Sequence, residues 1–172
     1  MKGTIANCIQ SMVTYRFGLD KWKEALRNAG VSDSKAYSTR EDIPDAEIMA
    51  ILSGAAQATG LSVTQVMDAF GEFWSTVYAP SIYKSFFDSA KSSRELLLKL
   101  DEIHVAMTRT LKNAKPPRFT YEWLGEQHLV MNYHSERDLV ALVPGLIAGL
   151  GKFYKDTPTT TVEGNQIHVF FS

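Results

Sequence analysis

Ser92-Ser93-Arg94-Glu95-Leu96-Leu97-Leu98-Lys99-Leu100-Asp101-Glu102-Ile103-His104-Val105-Ala106-Met107 is the stretch from which the rest of the chain can be read. Ser92 followed three residues on by Glu95 is a helix start, a hydroxyl for the third backbone amide and a carboxylate that reaches back. Beyond it Leu96, Leu97, Leu100, His104, Met107 and Leu111 fall on one side, because residues three and four apart share a helix face. His104 therefore stands in an apolar stripe, where an imidazole is poorly solvated and needs a partner. A core histidine bonded to a backbone carbonyl meets that need. So does an axial ligand to a flat apolar cofactor, on which the leucines and methionine would pack. The helix alone leaves both readings open.

Further along, Leu129-Val130-Met131-Asn132-Tyr133-His134-Ser135-Glu136-Arg137 alternates, which predicts a strand with Tyr133, Ser135 and Arg137 on one face. A phenol, a hydroxyl and a guanidinium on one face make a clamp for carboxylates, and arginine can bind them bidentately. An apolar helix bearing a histidine, joined to such a face, suits a ligand with a greasy ring and acids along one edge. Haem is such a ligand.

Composition narrows the field. At 172 residues the chain is long enough for one domain with a substantial core. Hydrophobic content of 45% argues against disorder, and a net charge of −1 provides no basic field for nucleic acid or an anionic membrane. No stretch approaches the roughly 20 apolar residues of a membrane span. The first residues do not read as a signal peptide, so cytoplasmic residence is expected. A lone cysteine, Cys8, excludes an internal disulfide. It shares helical spacing with Ile5, Ile9, Met12 and Val13 and reads as a small buried hydrophobe. A redox or gas-reactive thiol and a catalytic Cys-His pair are the alternatives, but no neighbouring residue suggests how the thiol would be activated.

In chain order, helices are predicted over 2–17, from Asp20 to Gly30, and from Asp45 behind Pro44 to Gly60, with a loop over 31–42. Ser62-Val63-Thr64-Gln65 is a second capping box, opening a helix with Phe70, Phe73, Trp74 and Val77 that should stop before Pro80. After Pro116-Pro117 the period changes to alternation. Phe119, Tyr121 and Trp123 make one strand and 127–134 the next, a hairpin. Asp138 is placed to cap a helix running to Phe153, which Pro144 permits only near its start. Segments 159–162 and 167–171 read as strands around Glu163-Gly164-Asn165. His128 and His134 read as surface or sheet residues and His168 as exposed. No histidine pair has metal-site spacing, which speaks against a zinc enzyme. Helices first, then a mostly antiparallel sheet with one helix inserted, is an α+β pattern.

Five pieces occur in order across nearly the whole chain: Met1-Lys2-Gly3-Thr4-Ile5, the His104 helix, Pro116-Pro117-Arg118, Tyr133-x-Ser135-x-Arg137, and Gly145-Leu146-Ile147-x-Gly149-Leu150-Gly151-Lys152-Phe153. Together they resemble the haem nitric oxide/oxygen binding (H-NOX) domain, the sensor module also found at the haem end of soluble guanylate cyclase. The resemblance implies a distal helical subdomain over 1–60 packed on a proximal subdomain over 61–172, with haem b between them. It implies His104 on the iron with Leu100 and Met107 against the ring, and Tyr133, Ser135 and Arg137 on the propionates. Pro117 would press on the macrocycle, and Ile5, Ile9, Trp74, Leu142 and Leu146 would line the gas pocket. Family members that hold oxygen stably place a tyrosine five residues after that arginine, where this chain has Leu142. Bound dioxygen carries more negative charge than NO or CO, so losing a donor worth about 1 kcal/mol penalises oxygen selectively. The implied function is a free-standing nitric oxide sensor that also binds CO and is not an enzyme. It would signal by release of His104 and movement of its helix to a partner, in bacteria commonly a histidine kinase or diguanylate cyclase. The alternatives are an oxygen-binding haem protein with Trp74 as donor, and a haem-free interaction module in which His104 is structural.

Overall fold

Capping residues and glycines set several helix ends where the apolar spacing places them. The computed structural model describes residues 1–137 and 139–172, which divide into two units, Met1–Phe70 and Gly71–Ser172. The first unit holds α1 (Gly3–Phe17), α2 (Leu19–Asn28) and α3 (Asp45–Thr59). α1 buries Ala6, Cys8, Ile9, Met12 and Val13, α2 buries Trp22, Ala25 and Leu26, and α3 buries Ile48, Ile51, Leu52 and Ala55. Gly60 takes the left-handed conformation that ends α3. The loop over 31–42 is tied down by Glu47, whose carboxylate accepts from Lys35 Nζ and Tyr37 OH, both at 2.6 Å. Cys8 is fully buried and burial pushes its thiol pKa up, so it is held neutral as a small hydrophobe.

α4 (Val63–Phe73) begins with a complete capping box: Gln65 N donates to Ser62 Oγ (3.1 Å) and Ser62 N to Gln65 Oε1 (2.9 Å). The expectation that this helix stops before Pro80 is corrected. The winding widens into a π turn over Trp74–Tyr78 and resumes as α5 (Ala79–Ile82). That places Pro80 in the first turn of a new helical segment, where its missing N–H costs least. α6 (Lys84–Asp88) and α7 (Ser93–Thr110) come next.

The sheet consists of β1 (Arg118–Gly125), β2 (His128–His134), β3 (Thr159–Glu163) and β4 (Gln166–Phe170), antiparallel in the order β1-β2-β4-β3. Between β2 and β3 lies α8 (Val143–Tyr154), with Pro144 in its first turn as the sequence requires. The capping role of Asp138 falls outside the described residues. The core of this unit joins Leu96 and Leu97 of α7, Phe119, Leu129, Met131, Tyr133, Ile167 and Val169 of the sheet, and Val143, Ile147 and Leu150 of α8. The α+β reading holds. His168 is not exposed: its Nδ1 lies 2.9 Å from His128 Nε2 and its own Nε2 is buried, because β4 pairs with β2. Among the described residues no single helix is long and apolar enough to cross a membrane.

α8 approaches the start of this unit backbone to backbone. A Cβ on Gly71 would lie 2.6 Å from Gly145 C and Leu146 N, and Ser75 Oγ donates to Leu146 O at 2.9 Å. Gly71→Ala gains about 1 kcal/mol of helix propensity. Overpacking costs typically about 1–3 kcal/mol, and backbone atoms cannot swing aside. We expect a net loss of about 1 kcal/mol in urea denaturation. Gly125→Ala, where a Cβ meets nothing within 4 Å, should stay within about 0.5 kcal/mol of wild type.

Candidate functional site

The site is built on α7. Ser92 Oγ accepts from Glu95 N (3.2 Å), and Glu95 accepts from Lys91 N (2.8 Å), one residue ahead of the cap. Ser93 N donates to Asp156 Oδ2 (2.8 Å), a carboxylate at the end of the helix that favours negative charge. The first half of α7 is seated in the core through Leu96 and Leu97. Burial then falls away, and Leu100, Ile103, His104 and Met107 are only partly covered. The second half of the apolar stripe thus presents side chains that the protein itself does not fully enclose.

His104 Nδ1 lies 2.7 Å from Pro117 O. A carbonyl can only accept, so the proton belongs on Nδ1 and Nε2 keeps its lone pair. Among the described residues Nε2 has no partner. Burial lowers the imidazole pKa below its usual value, against the opposing pull of the Pro117 carbonyl and Asp101, so the ring is neutral at neutral pH. The two readings of His104 therefore do not compete. The carbonyl bond engages one nitrogen and leaves the coordinating one open.

Pro117 is fixed by its two successors in the chain. Arg118 grips Asp101 bidentately (Nε–Oδ1 and Nη2–Oδ2, both 2.7 Å), and Phe119 N donates to Asp101 Oδ1 (2.8 Å). The head of β1 is thereby pinned to α7 three residues before His104. The His104 ring lies 5.9 Å from that of Phe119, which meets Tyr133 edge-on at 5.8 Å. Tyr133 is buried, yet its hydroxyl has no hydrogen-bond partner among the described residues.

The shared strand face of Tyr133, Ser135 and Arg137 is corrected. β2 ends at His134, opposite Arg118, the first residue of β1, and Glu136 and Arg137 form a turn. Arg137 N donates to Ser135 Oγ (3.2 Å), so a local side-chain turn replaces alternation where no partner strand remains. Arg137 nevertheless returns to the site, since its Nη1 donates to Lys115 O, two residues before Pro117.

Trp74 opens the π turn and stacks on Tyr78 at 5.7 Å. Leu142 ends a 3-10 turn and Leu146 lies one helical turn on in α8, both half-buried, with the Leu146 carbonyl holding Ser75 beside Trp74. Ile5 and Ile9 lie one turn apart on α1 in the first unit, Ile9 fully buried and Ile5 partly. Sequence reading missed Asp101, although its spacing from His104 places both on one helix face. Phe119 and Tyr121 were assigned only to a strand.

The profile of the haem-NO-binding family matches residues 2–162. The chain belongs to this family. Its H-NOX domains are haem-binding gas sensors related to soluble guanylate cyclase, sensor domains rather than catalytic ones, and they signal to partners. The chain is 28% identical over 165 residues to the soluble guanylate cyclase gcy-37 of Caenorhabditis elegans, covering 92% of this chain and 23% of that protein. Among solved structures it is similar to an oxygen-binding H-NOX domain related to soluble guanylate cyclases, in its oxygen complex (24% identity, 100% of this chain, 95% of that one, TM-score 0.83). It is also similar to the I5F mutant of the T. tengcongensis H-NOX (24% identity, 100% and 98%, TM-score 0.84). At this identity the structures show a shared fold.

Arg118 holds the Asp101 carboxyl pKa at about 2 against an ordinary 3.8. That difference corresponds to about 2 kcal/mol, and screening at the half-exposed Arg118 reduces it to about 1 kcal/mol. A depressed folded-state pKa stabilises above the unfolded value and is lost as pH falls through about 2. Asp101→Asn should therefore be about 1 kcal/mol less stable at pH 7. The gap should close in the acid limit of a pH series of denaturant midpoints.

Proposed function

We propose that the chain is a haem-based sensor that binds nitric oxide, excludes oxygen, and passes the event on through His104 and α7. The observation that carries this reading is the His104–Pro117 bond, which fixes a neutral imidazole with its second nitrogen open for a metal. The half-covered stripe of Leu100, His104 and Met107 fits the face of an apolar ring. The Tyr133 hydroxyl, unpaired among the described residues, fits an acidic edge together with Ser135 and Arg137 on the loop beside Lys115. A single buried cysteine, Cys8, leaves no thiol pair for covalent attachment, so the haem would be held non-covalently as haem b.

Haem, when bound, would supply an iron that His104 Nε2 would hold and that could take a diatomic gas. The Nδ1 bond to the Pro117 carbonyl would keep His104 tied to the head of β1 whatever its second nitrogen holds, so a shift of the imidazole would reach both β1 and α7. Pro117 would contact the macrocycle beside His104. Of the residues that the resemblance assigns to the gas, Ile5, Ile9, Leu142 and Leu146 carry only hydrocarbon side chains, and the Trp74 indole is the one donor among them. Dioxygen, the more polar guest, loses most from that lining. The chain's own residues bind and transmit, and a histidine kinase or diguanylate cyclase is the partner class we propose. The curated relative carries its matching segment within a longer guanylate cyclase.

The test is the absorption spectrum of the ferrous protein, first in air and then with nitric oxide. We expect a Soret band that air leaves unchanged and nitric oxide shifts. In His104→Gly the band should vanish and return with added imidazole. A stable oxygen spectrum would replace this reading with an oxygen carrier using Trp74, and no Soret band at all would leave a haem-free interaction module. Leu142→Tyr restores a hydroxyl and should confer an oxygen complex that survives in air. Failure of that gain would show that residue 142 does not set gas choice.

A further inference from the structure

Tyr121, on β1, inserts its phenol into the backbone of α7. Its hydroxyl donates to Leu97 O at 2.9 Å and accepts from Asp101 N at 3.2 Å. Those are the two groups that an uninterrupted α-helix pairs with each other, four residues apart. A side chain entering that ladder is a recognised cause of helix bending. Backbone or phenol can complete the rung, and the two arrangements aim the helix differently beyond it.

The ties on either side of the rung lead to different places. Before it, Ser93 N is held by Asp156, Leu96 and Leu97 sit in the core, and the Arg94 guanidinium lies 4.4 Å from the Trp123 ring centre. After it, Leu100, Ile103, His104 and Met107 are only partly covered, and the polar ties of this half run to the head of β1: Asp101 to Arg118 and Phe119 N, His104 to Pro117. We propose that Tyr121 makes α7 a hinged helix. By bridging Leu97 O and Asp101 N, it lets the half that carries His104 swing with residues 115–117 while the first half stays seated. Burial pushes the phenol pKa up to about 12, so the hydroxyl remains a donor throughout the ordinary pH range. The hinge stands on helix geometry alone. Only its use in gas signalling rests on the haem reading, where Tyr121 is a positioning residue that acts through His104.

The test is amide hydrogen exchange on the purified protein, whatever its haem content, with residues 96–98 as internal reference. In wild type the Asp101 amide should exchange faster than the reference amides. In Tyr121→Phe, which keeps the ring and removes both hydrogen bonds, the backbone rung closes. Exchange at residues 101–104 should then slow by about fivefold, as the hinge motion that opens these amides is lost. A phenol that merely braces the helix gives unchanged or faster exchange there, and that result overturns the hinge. For haem-loaded protein, Tyr121→Phe should also lower the share of nitrosyl complex in which His104 is released, read from its absorption and paramagnetic spectra. Equal shares in both proteins would overturn the hinge's role in signalling. Absence of haem would overturn the sensor reading and leave the exchange result standing.

Discussion

One hydrogen bond, from His104 Nδ1 to the Pro117 carbonyl, sets the terms for everything around it. It decides which ring nitrogen carries the proton, and so which is open to a ligand. It is also one of several bonds that join α7 to the head of β1. Lys115-Pro116-Pro117 suits the task because its prolines have no N–H to pair in a strand and favour extended backbone. A carbonyl there is free to accept from a side chain. Asp101 then holds the next two residues, with its carboxylate shared between the Arg118 fork and the Phe119 amide. The imidazole is thus aimed by a frame of several bonds.

The sheet order makes room for that frame. β1 is an edge strand whose only neighbour in the sheet is β2, so its head can be held by a helix without breaking a ladder on the other side. α7 in turn has two unlike halves. The first is fastened by a cap, an aspartate and two core leucines. The second keeps an apolar face that the chain covers only in part. A flat apolar cofactor on that face would supply the missing burial at about 25 cal/mol per Å². Cofactor loss and movement of the second half would then be coupled.

Much of this was legible in the residues, wherever the deciding interaction is local. Ser92 and Glu95 announce the start of α7, Ser62 and Gln65 that of α4, and Pro144 the first turn of α8. Each rule involves groups within four residues of one another. The errors fall where a distant or competing contact wins. Alternation carries straight through Tyr133, Ser135 and Arg137, but β1 offers no partner beyond Arg118 and a serine-based turn takes over. His168 alternates like a surface residue, yet strand pairing sets it against His128. Trp74 and Pro80 read as one helix and its stop, because periodicity does not reveal a π turn. Tyr121 shows the limit most clearly: nothing near it in sequence indicates that its hydroxyl enters a helix rung more than twenty residues away.

On the proposed reading, fold and gas choice are written in different parts of the chain. The close approach of Gly71 to Gly145 and Leu146, with Ser75 bonded to the Leu146 carbonyl, fixes backbone against backbone and is indifferent to most side chains nearby. The same fold recurs at TM-scores of 0.83 to 0.84 in domains only 24% identical, one of them an oxygen complex. A scaffold held by backbone contact can keep its shape while the side chains around it change. Chemistry at the site is then free to vary independently of the fold that presents it. On the proposed reading, selectivity is argued from single side chains such as Leu142 and Trp74, and transmission of the signal from the bonds that tie His104 and α7 to the head of β1.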